Sequence, residues 1–219
     1  MTLVLGTNAA DTLAGTAGAD TIHAFAGDDT AFGRGGNDLI TGGLGRDALF
    51  GEAGNDVLDG RQGDDTLDGG AGRDTAVYAN ATGSVTVDLA AGTASGFFGN
   101  DVLIGIEDVL GGQAGDTLIG SAGANGLVGN GGADMLLGGN GNDYVDGGAG
   151  NDVLDGDVGQ DFGASGGDIS IATSNDTLAG GNGDDVLRGD AGRDISAAGS
   201  HVDVAAGRDT LSGAEGNDV

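Results

Sequence analysis

Gly51–Gly60 reads GEAGNDVLDG, with glycine at the first, fourth and tenth positions, an Asn-Asp pair in the middle, and the aliphatic Leu58 followed by polar Asp59. Nearly the same stretch, GRQGDDTLDG, begins nine residues later at Gly60. With Asp56 at position six of a nine-residue unit starting at Gly51, steps of nine land on Asp11, Asp20, Asp29, Asp38, Asp47, Asp65 and Asp74. Position eight of the same units reads Leu13, Ile22, Ala31, Ile40, Leu49, Leu58, Leu67 and Ala76. Position four is glycine from Gly18 to Gly72 and fails only at Ala9. The unit is therefore G-x-x-G-x-D-x-U-x, with U aliphatic.

Past Ala76 the pattern breaks. SVTVDLAAGTASG reads as a short alternating strand, Val85, Val87 and Leu89, followed by a turn. The frame returns in GFFGNDVLI, Gly96 to Ile104, so the interruption spans Tyr78 to Ser95, two units' worth. A second array runs from Gly111 through Asp116, Asn125, Asp134, Asp143, Asp152 and Asp161, with later members at Asp176, Asp185, Asp194, Asp209 and Asp218. Asp101 to Asp116, Asp161 to Asp176 and Asp194 to Asp209 are each 15 apart, which reads as nine plus a six-residue loop extension, at about GIEDVL, SGGDIS and AGSHVD. The division expected is a first array over 6–77, a degenerate coil and spacer over 78–110, a second array over 111–164, and interrupted repeats over 165–219. The chain stops at position seven of a unit, with no aliphatic residue to close the last strand, so the C-terminus reads as incomplete.

Composition narrows the function classes. Of 219 residues 51 are glycine and none is proline or cysteine, and each glycine held in regular structure costs about 0.5–1 kcal/mol relative to alanine. Something besides side-chain burial must offset that cost. Thirty-five acids against seven bases give a formal charge of −28, which repels nucleic-acid backbones and anionic membranes and attracts cations. Without cysteine there are no disulfides or thiolate metal sites. No apolar run is long enough to cross a membrane, and MTLVLGTNAAD carries no basic segment typical of a signal peptide.

A period of nine fits no α-helix, and so much glycine argues against helix throughout. In an x-U-x segment only the middle side chain turns inward, so three residues make a minimal strand, and the six glycine-rich residues reverse the chain. Each unit is then half a coil, and unit n stacks on unit n+2 as a parallel strand about 4.8 Å away. The expected fold is all-β, a parallel β-roll or β-solenoid with two repeats per coil. Leu13, Ala31, Leu49 and Leu67 should line one inner wall and Ile22, Ile40, Leu58 and Ala76 the other. The same stacking puts the position-six aspartates in two columns, where adjacent carboxylates repel by about 1 kcal/mol even in water. A hard divalent ion between turns would relieve this, and carboxylates with backbone carbonyls are the donors Ca2+ prefers. Mg2+ demands a tighter octahedron.

GGLGRDALF, GGNGNDYVD, GGAGNDVLD and GGNGDDVLR resemble the RTX, or haemolysin-type, calcium-binding nonapeptide. The resemblance covers nearly the whole chain. It implies a β-roll whose turns bind Ca2+, on the order of ten ions, through Asp side chains and turn carbonyls, in proteins exported unfolded by a type I system and folded outside by calcium. Carried over to in-frame positions, the metal-ligand role falls on Asp20, Asp29, Asp38, Asp47, Asp56, Asp65, Asp74, Asp116, Asp134, Asp143, Asp152, Asp161, Asp176, Asp185, Asp194, Asp209 and Asp218. Four departures weaken particular sites: GTNAAD lacks the fourth glycine, AFAGDD the first, IATSND both, and Asn125 replaces Asp. Extracellular modules bind Ca2+ at about 10⁻⁴–10⁻³ M, so such a chain should be unfolded in a calcium-poor cytoplasm and folded after export.

Other readings fare worse. Paired acids such as Asp28-Asp29, Asp64-Asp65 and Asp184-Asp185 suggest a glycosidase couple, yet their second members are in frame and the repeats offer no distinguished cleft. His23 and His201 read as solvated side chains, and no H-E-x-x-H or G-x-S-x-G occurs. Glycine clusters such as GRGGND lack the lysine of a phosphate loop. The function expected is a non-enzymatic calcium-binding region of a secreted, extracellular protein. The alternatives are the non-catalytic part of a type I-secreted protease, lipase or polysaccharide-modifying enzyme, or a surface-layer or adhesin component. A linked catalytic or adhesive domain would lie outside this chain.

Overall fold

The computed structural model describes residues 1–156, together with the backbone of strand segments between 163 and 213. The metal-site expectations at Asp161, Asp176, Asp185, Asp194, Asp209 and Asp218, and the loop extensions at SGGDIS and AGSHVD, lie outside the described residues.

The first array folds into β1 (Thr2–Leu5), β2 (Thr12–Ala14), β3 (Asp20–Ala26), β4 (Thr30–Gly35), β5 (Leu39–Leu44), β6 (Ala48–Ala53), β7 (Val57–Gln62), β8 (Thr66–Ala71) and β9 (Thr75–Val77). Odd strands pair in one sheet and even strands in a second, all parallel, each with the strand one full coil on. Leu13, Ala31, Leu49 and Leu67 fall in register in the even sheet, and Ile22, Ile40, Leu58 and Ala76 in the odd one. All are fully buried except Leu13, which packs partly exposed at the end of the stack. The two walls face each other because only the middle residue of each x-U-x segment turns inward.

Several of these strands are longer than the expected three residues. β3 runs seven residues and β4 to β8 six, all continuing through position two of the next unit, where Phe25, Arg34, Glu52 and Arg61 have φ between 71° and 79°. The ladder survives this left-handed residue because every coil repeats it in register, as in Phe25–Gly43–Arg61 and Arg34–Glu52–Gly70. The second array, β14 (Thr117–Ile119), β15 (Gly126–Val128), β16 (Met135–Leu137), β17 (Tyr144–Asp146) and β18 (Val153–Asp155), keeps three-residue strands.

The interruption is threaded into the even sheet. β10 (Val85–Asp88), β11 (Thr93–Gly96) and β12 (Gly99–Ile104) form an antiparallel trio, with β12 parallel to β8 and β10 parallel to β14. The odd sheet passes the same region with a single strand, β13 (Asp108–Leu110), paired to both β9 and β15. Both sheets therefore run on from one array to the next. This corrects the reading of GIEDVL as a six-residue loop extension. Gly105–Leu110 is a half-coil with its own strand, entered through a turn of only three residues, 105–107. The spacing of 15 is a coil of 18 shortened by three. Beyond residue 156, Thr177–Gly181 and Thr210–Gly213 extend the odd sheet and Val186–Arg188 the even one, while two further parallel pairs form separate sheets.

Leu49→Ala removes a fully buried side chain from the facing walls and should lower stability by about 2–5 kcal/mol in denaturant unfolding of the calcium-loaded chain. Met135→Ala, at a position 45% exposed, should change it by no more than about 0.5 kcal/mol.

Candidate metal centre

All but one of the reversals between sheets end in a carboxylate, at position six except for Glu107; the exception is Asn125. One edge of the solenoid carries Asp11, Asp29, Asp47, Asp65 and Asp101, and, past the hairpin, Asp116, Asp134 and Asp152. The other carries Asp20, Asp38, Asp56, Asp74, Glu107, Asn125 and Asp143. Apart from Asp11, which is half-buried, and Glu107, which is partly exposed, these residues are buried.

A single contact repeats along both columns: the backbone amide of each Asp donates to Oδ1 of the Asp one coil on. Asp20 bonds Asp38 at 2.7 Å, Asp38 bonds Asp56 at 2.8 Å, and Asp56 bonds Asp74 at 2.7 Å. On the other edge Asp29 bonds Asp47 at 2.9 Å and Asp47 bonds Asp65 at 2.8 Å. The amide of Asp65 reaches Asp101, 36 residues on, at 3.0 Å, because residues 78–95 are looped out between them. After the hairpin, Asp116 bonds Asp134 and Asp134 bonds Asp152, both at 2.8 Å.

The second oxygen is left over. Oδ2 of Asp29, Asp38, Asp47, Asp56, Asp65, Asp74 and Asp134 is buried with no hydrogen-bond partner. A buried carboxylate oxygen without a donor carries a desolvation cost that something must relieve. The position-one glycine shows what the space around it admits. A Cβ on Gly33 would overlap Oδ2 of Asp38 and crowd the Gly51 carbonyl, and a Cβ on Gly51 would meet Asp56 and Gly69 in the same way. Carboxylate and carbonyl oxygens thus converge on one small volume at these turns, and glycine keeps it clear in all but the turn ending at Asp29, where Ala24 stands at position one. That donor set suits a hard cation and gives zinc no nitrogen or sulfur. Among the described residues no group of three or more His, Cys, Asp or Glu side chains forms a metal cluster. An ion on these edges would draw its remaining oxygens from the backbone, as Ca2+ does.

Burial dominates the electrostatics. It pushes Asp47 and Asp56 up to about 6, and Asp65 and Asp134 up to about 7, against the downward pull of the bonded amide. Neighbouring carboxylates in the column add to the rise. Asp38, Asp74, Asp101 and Asp116 are also raised, first by burial. Asp20 goes the other way, to about 2, because the Thr16 amide donates to its Oδ2 at 2.5 Å and the Thr16 hydroxyl at 2.8 Å.

Five column members lack an open oxygen. Asp11 is closed by Thr7, Asp20 by Thr16, Asp116 by the Gly112 amide at 2.6 Å, and Asn125 by Ser121. Asp101 Oδ2 accepts from the Tyr78 hydroxyl at 2.9 Å. Asn125 has its own reason to differ from Asp: its Nδ2 donates to the Glu107 carbonyl at 2.8 Å, where a carboxylate would face another oxygen.

Two features escaped the sequence reading. Glu107 occupies a rung of the column and accepts the Asp74 amide at 2.9 Å. Its extra methylene lets it stand in for Asp after the shortened turn, and the nine-residue frame does not reach it. The paired acids belong to a second ladder: Oδ1 of position-five Asp28, Asn37, Asn55 and Asp64 accepts the position-five amide of the next coil at 2.9–3.1 Å. The recurrent Asn-Asp and Asp-Asp pairs are thus two ladders running in opposite directions. Arg73 adds a clamp across coils, with Nε and Nη2 on Asp108 at 2.8 and 2.6 Å and Nη1 on the Ala124 carbonyl at 3.2 Å. His23 is half-buried in a groove of about 620 Å³ between the odd sheet and the hairpin, beside Phe25, Arg61 and Phe97 and with no carboxylate in its lining.

The fold and its edges define a repeat protein built around rows of oxygen donors for a hard cation. The RTX calcium-binding nonapeptide repeat (4 copies) matches residues 5–40, 41–76, 110–145, 128–163, 172–200 and 201–219, and the chain belongs to that family. The RTX repeats bind calcium. Among solved structures the chain is similar to the extracellular lipase LipA from Serratia marcescens, at 23% identity and a TM-score of 0.28, over 80% of this chain and 33% of the lipase. The chain therefore spans about a third of that lipase's length. No curated protein matches it.

A carboxyl raised in the fold from its usual 3.8 to about 6–7 binds protons that the unfolded chain releases. The stability these groups contribute is full below about pH 4 and is lost as the pH rises through 6 to 7. In chelator, the far-UV circular dichroism of the chain should show more β-sheet at pH 4 than at pH 7.5. Excess calcium should hold the β signal at pH 7.5.

Proposed function

We propose that this chain is a calcium-folded rod that operates outside the cell. At neutral pH the two carboxylate columns oppose folding, and Ca2+ seated between successive turns supplies the charge that the open Oδ2 atoms lack. Asp29, Asp38, Asp47, Asp56, Asp65, Asp74 and Asp134 would hold the ions, with Asp143 and Asp152 continuing the columns and turn carbonyls completing each site. The ion, when bound, neutralises paired carboxylates. The chain's own amides, aligned one coil back, fix each carboxylate before and after. Coupling of metal to folding makes the calcium level the switch between a loose chain and a stiff one.

The observation that carries this reading is the row of buried carboxylate oxygens without donors, repeated in register on both edges. Membership of the RTX family supports secretion, by a type I system, and folding after export, where calcium is plentiful. The absence of a cluster of three acidic or histidine side chains among the described residues fits ions that depend on stacked turns rather than on one preformed cage, with a total on the order of ten.

A calcium titration followed by far-UV circular dichroism, with magnesium as control, tests it. The β signal should rise cooperatively with Ca2+ at neutral pH, stay low with Mg2+, and collapse on addition of chelator. A chelated chain that keeps the same spectrum and melting temperature at pH 7.5 would overturn it.

A further inference from the structure

Apart from the turn ending at Asp101, whose Oδ2 Tyr78 occupies, and the shortened turn at Glu107, eleven turns fall into two classes that differ in backbone and in hydrogen bonding. In the open class, ending at Asp29, Asp38, Asp47, Asp56, Asp65, Asp74 and Asp134, position two is left-handed: Phe25, Arg34, Gly43, Glu52, Arg61, Gly70 and Asn130 have φ from 70° to 129°. Position four of each of these turns is a glycine with positive φ, from Gly27 to Gly132. Oδ2 of every one of these aspartates is buried and unpartnered.

In the closed class, ending at Asp11, Asp20, Asp116 and Asn125, neither position two nor position four has positive φ. With position two out of the left-handed region, its amide turns onto the side-chain oxygen that the open class leaves bare. The distances are 2.6 Å from Thr7, 2.5 Å from Thr16, 2.6 Å from Gly112 and 2.7 Å from Ser121. In three of the four, the hydroxyl donates to the same oxygen at 2.8, 2.8 and 3.1 Å. The same hydroxyl accepts the position-four amide at 3.2–3.3 Å. That local turn replaces the one for which the open class needs a positive-φ glycine, so alanine is tolerated at Ala9.

Threonine at position two favours the closed state because its branched Cβ is disfavoured in the left-handed region and its hydroxyl fills the carboxylate. Asp11 and Asp20 are neighbouring turns of the first array, and Asp116 and Asn125 are neighbouring turns of the second, Asn125 following the Glu107 rung on its edge.

We propose that the backbone at position two selects whether a turn takes calcium: a left-handed residue there leaves the carboxylate open, and a Thr or Ser, whose hydroxyl caps the side-chain oxygen, keeps the turn metal-free. Thr7, Thr16 and Ser121 act as built-in substitutes for the ion, and ion uptake begins at the turns ending in Asp29 and Asp38 and resumes at the one ending in Asp134. Asp20 and Asp116 are then structural rungs rather than ligands. This rests on the calcium reading above.

The test counts bound Ca2+ per chain by equilibrium dialysis, with circular dichroism recorded on each variant. Thr16→Gly frees position two and removes the hydroxyl, and should gain at least one ion relative to wild type. Thr16→Val keeps the branched Cβ and should bind as many as wild type. Glu52→Thr closes an open turn and should lose at least one ion. An unchanged count in both Thr16→Gly and Glu52→Thr overturns the selector while leaving the calcium reading intact. If Glu52→Thr fails to gain β signal, Thr16→Gly decides alone. A wild-type chain that binds no calcium overturns both.

Discussion

Everything in this molecule hangs on a buried carboxylate that is half satisfied. At each reversal one oxygen takes the amide of the coil behind it, which fixes the side chain and locks successive coils in register. In the open turns the other oxygen points into a small volume kept clear, at all but one of them, by glycine. The hydrophobic walls are thin, one aliphatic residue per half-coil, and mutual packing of those residues gives the solenoid a core without a conventional domain interior. The edges are where a polar chain this rich in glycine gains specificity, and where the low dielectric that strengthens the amide bond also makes an unneutralised charge costly.

Much of this was legible from spacing. A strict period of nine placed every inward residue of the first array from Leu13 to Ala76, and doubling it to eighteen placed the carboxylates in columns, because pairing at that spacing is the only way a two-strand coil can stack. What spacing did not show was geometry within a unit. Position two carries Phe, Arg, Glu, Gly, Asn, Thr or Ser, and looked unconstrained. Its constraint is a backbone angle rather than a side-chain type, visible in the sequence only as the coincidence of Thr or Ser there with Ala at position five, as in Thr7 with Ala10, Thr16 with Ala19 and Ser121 with Ala124.

The interruption was harder to read for a topological reason. Val85, Val87 and Leu89 announce a strand, but alternation says nothing about whether it runs parallel or antiparallel, nor that it docks two strand positions ahead of its turn in the chain. GIEDVL misled because a coil shortened by three and a unit lengthened by six give the same spacing. The clue was Val109 at the centre of Asp108–Leu110, an x-U-x segment in its own right, with Glu107 supplying the carboxylate where the frame held none.

The hairpin adds two strands to one sheet and none to the other, so the two edges do not relay cooperativity equally. Past residues 78–98 the edge bearing Asp101 and Asp116 is broken by the inserted strands, whereas the opposite edge continues from Asp74 through Glu107 to Asn125 and is braced by Arg73. In a one-dimensional stack, where each coil feels only its neighbours, this makes a lopsided joint: melting or mechanical load on one half reaches the other along a single rail.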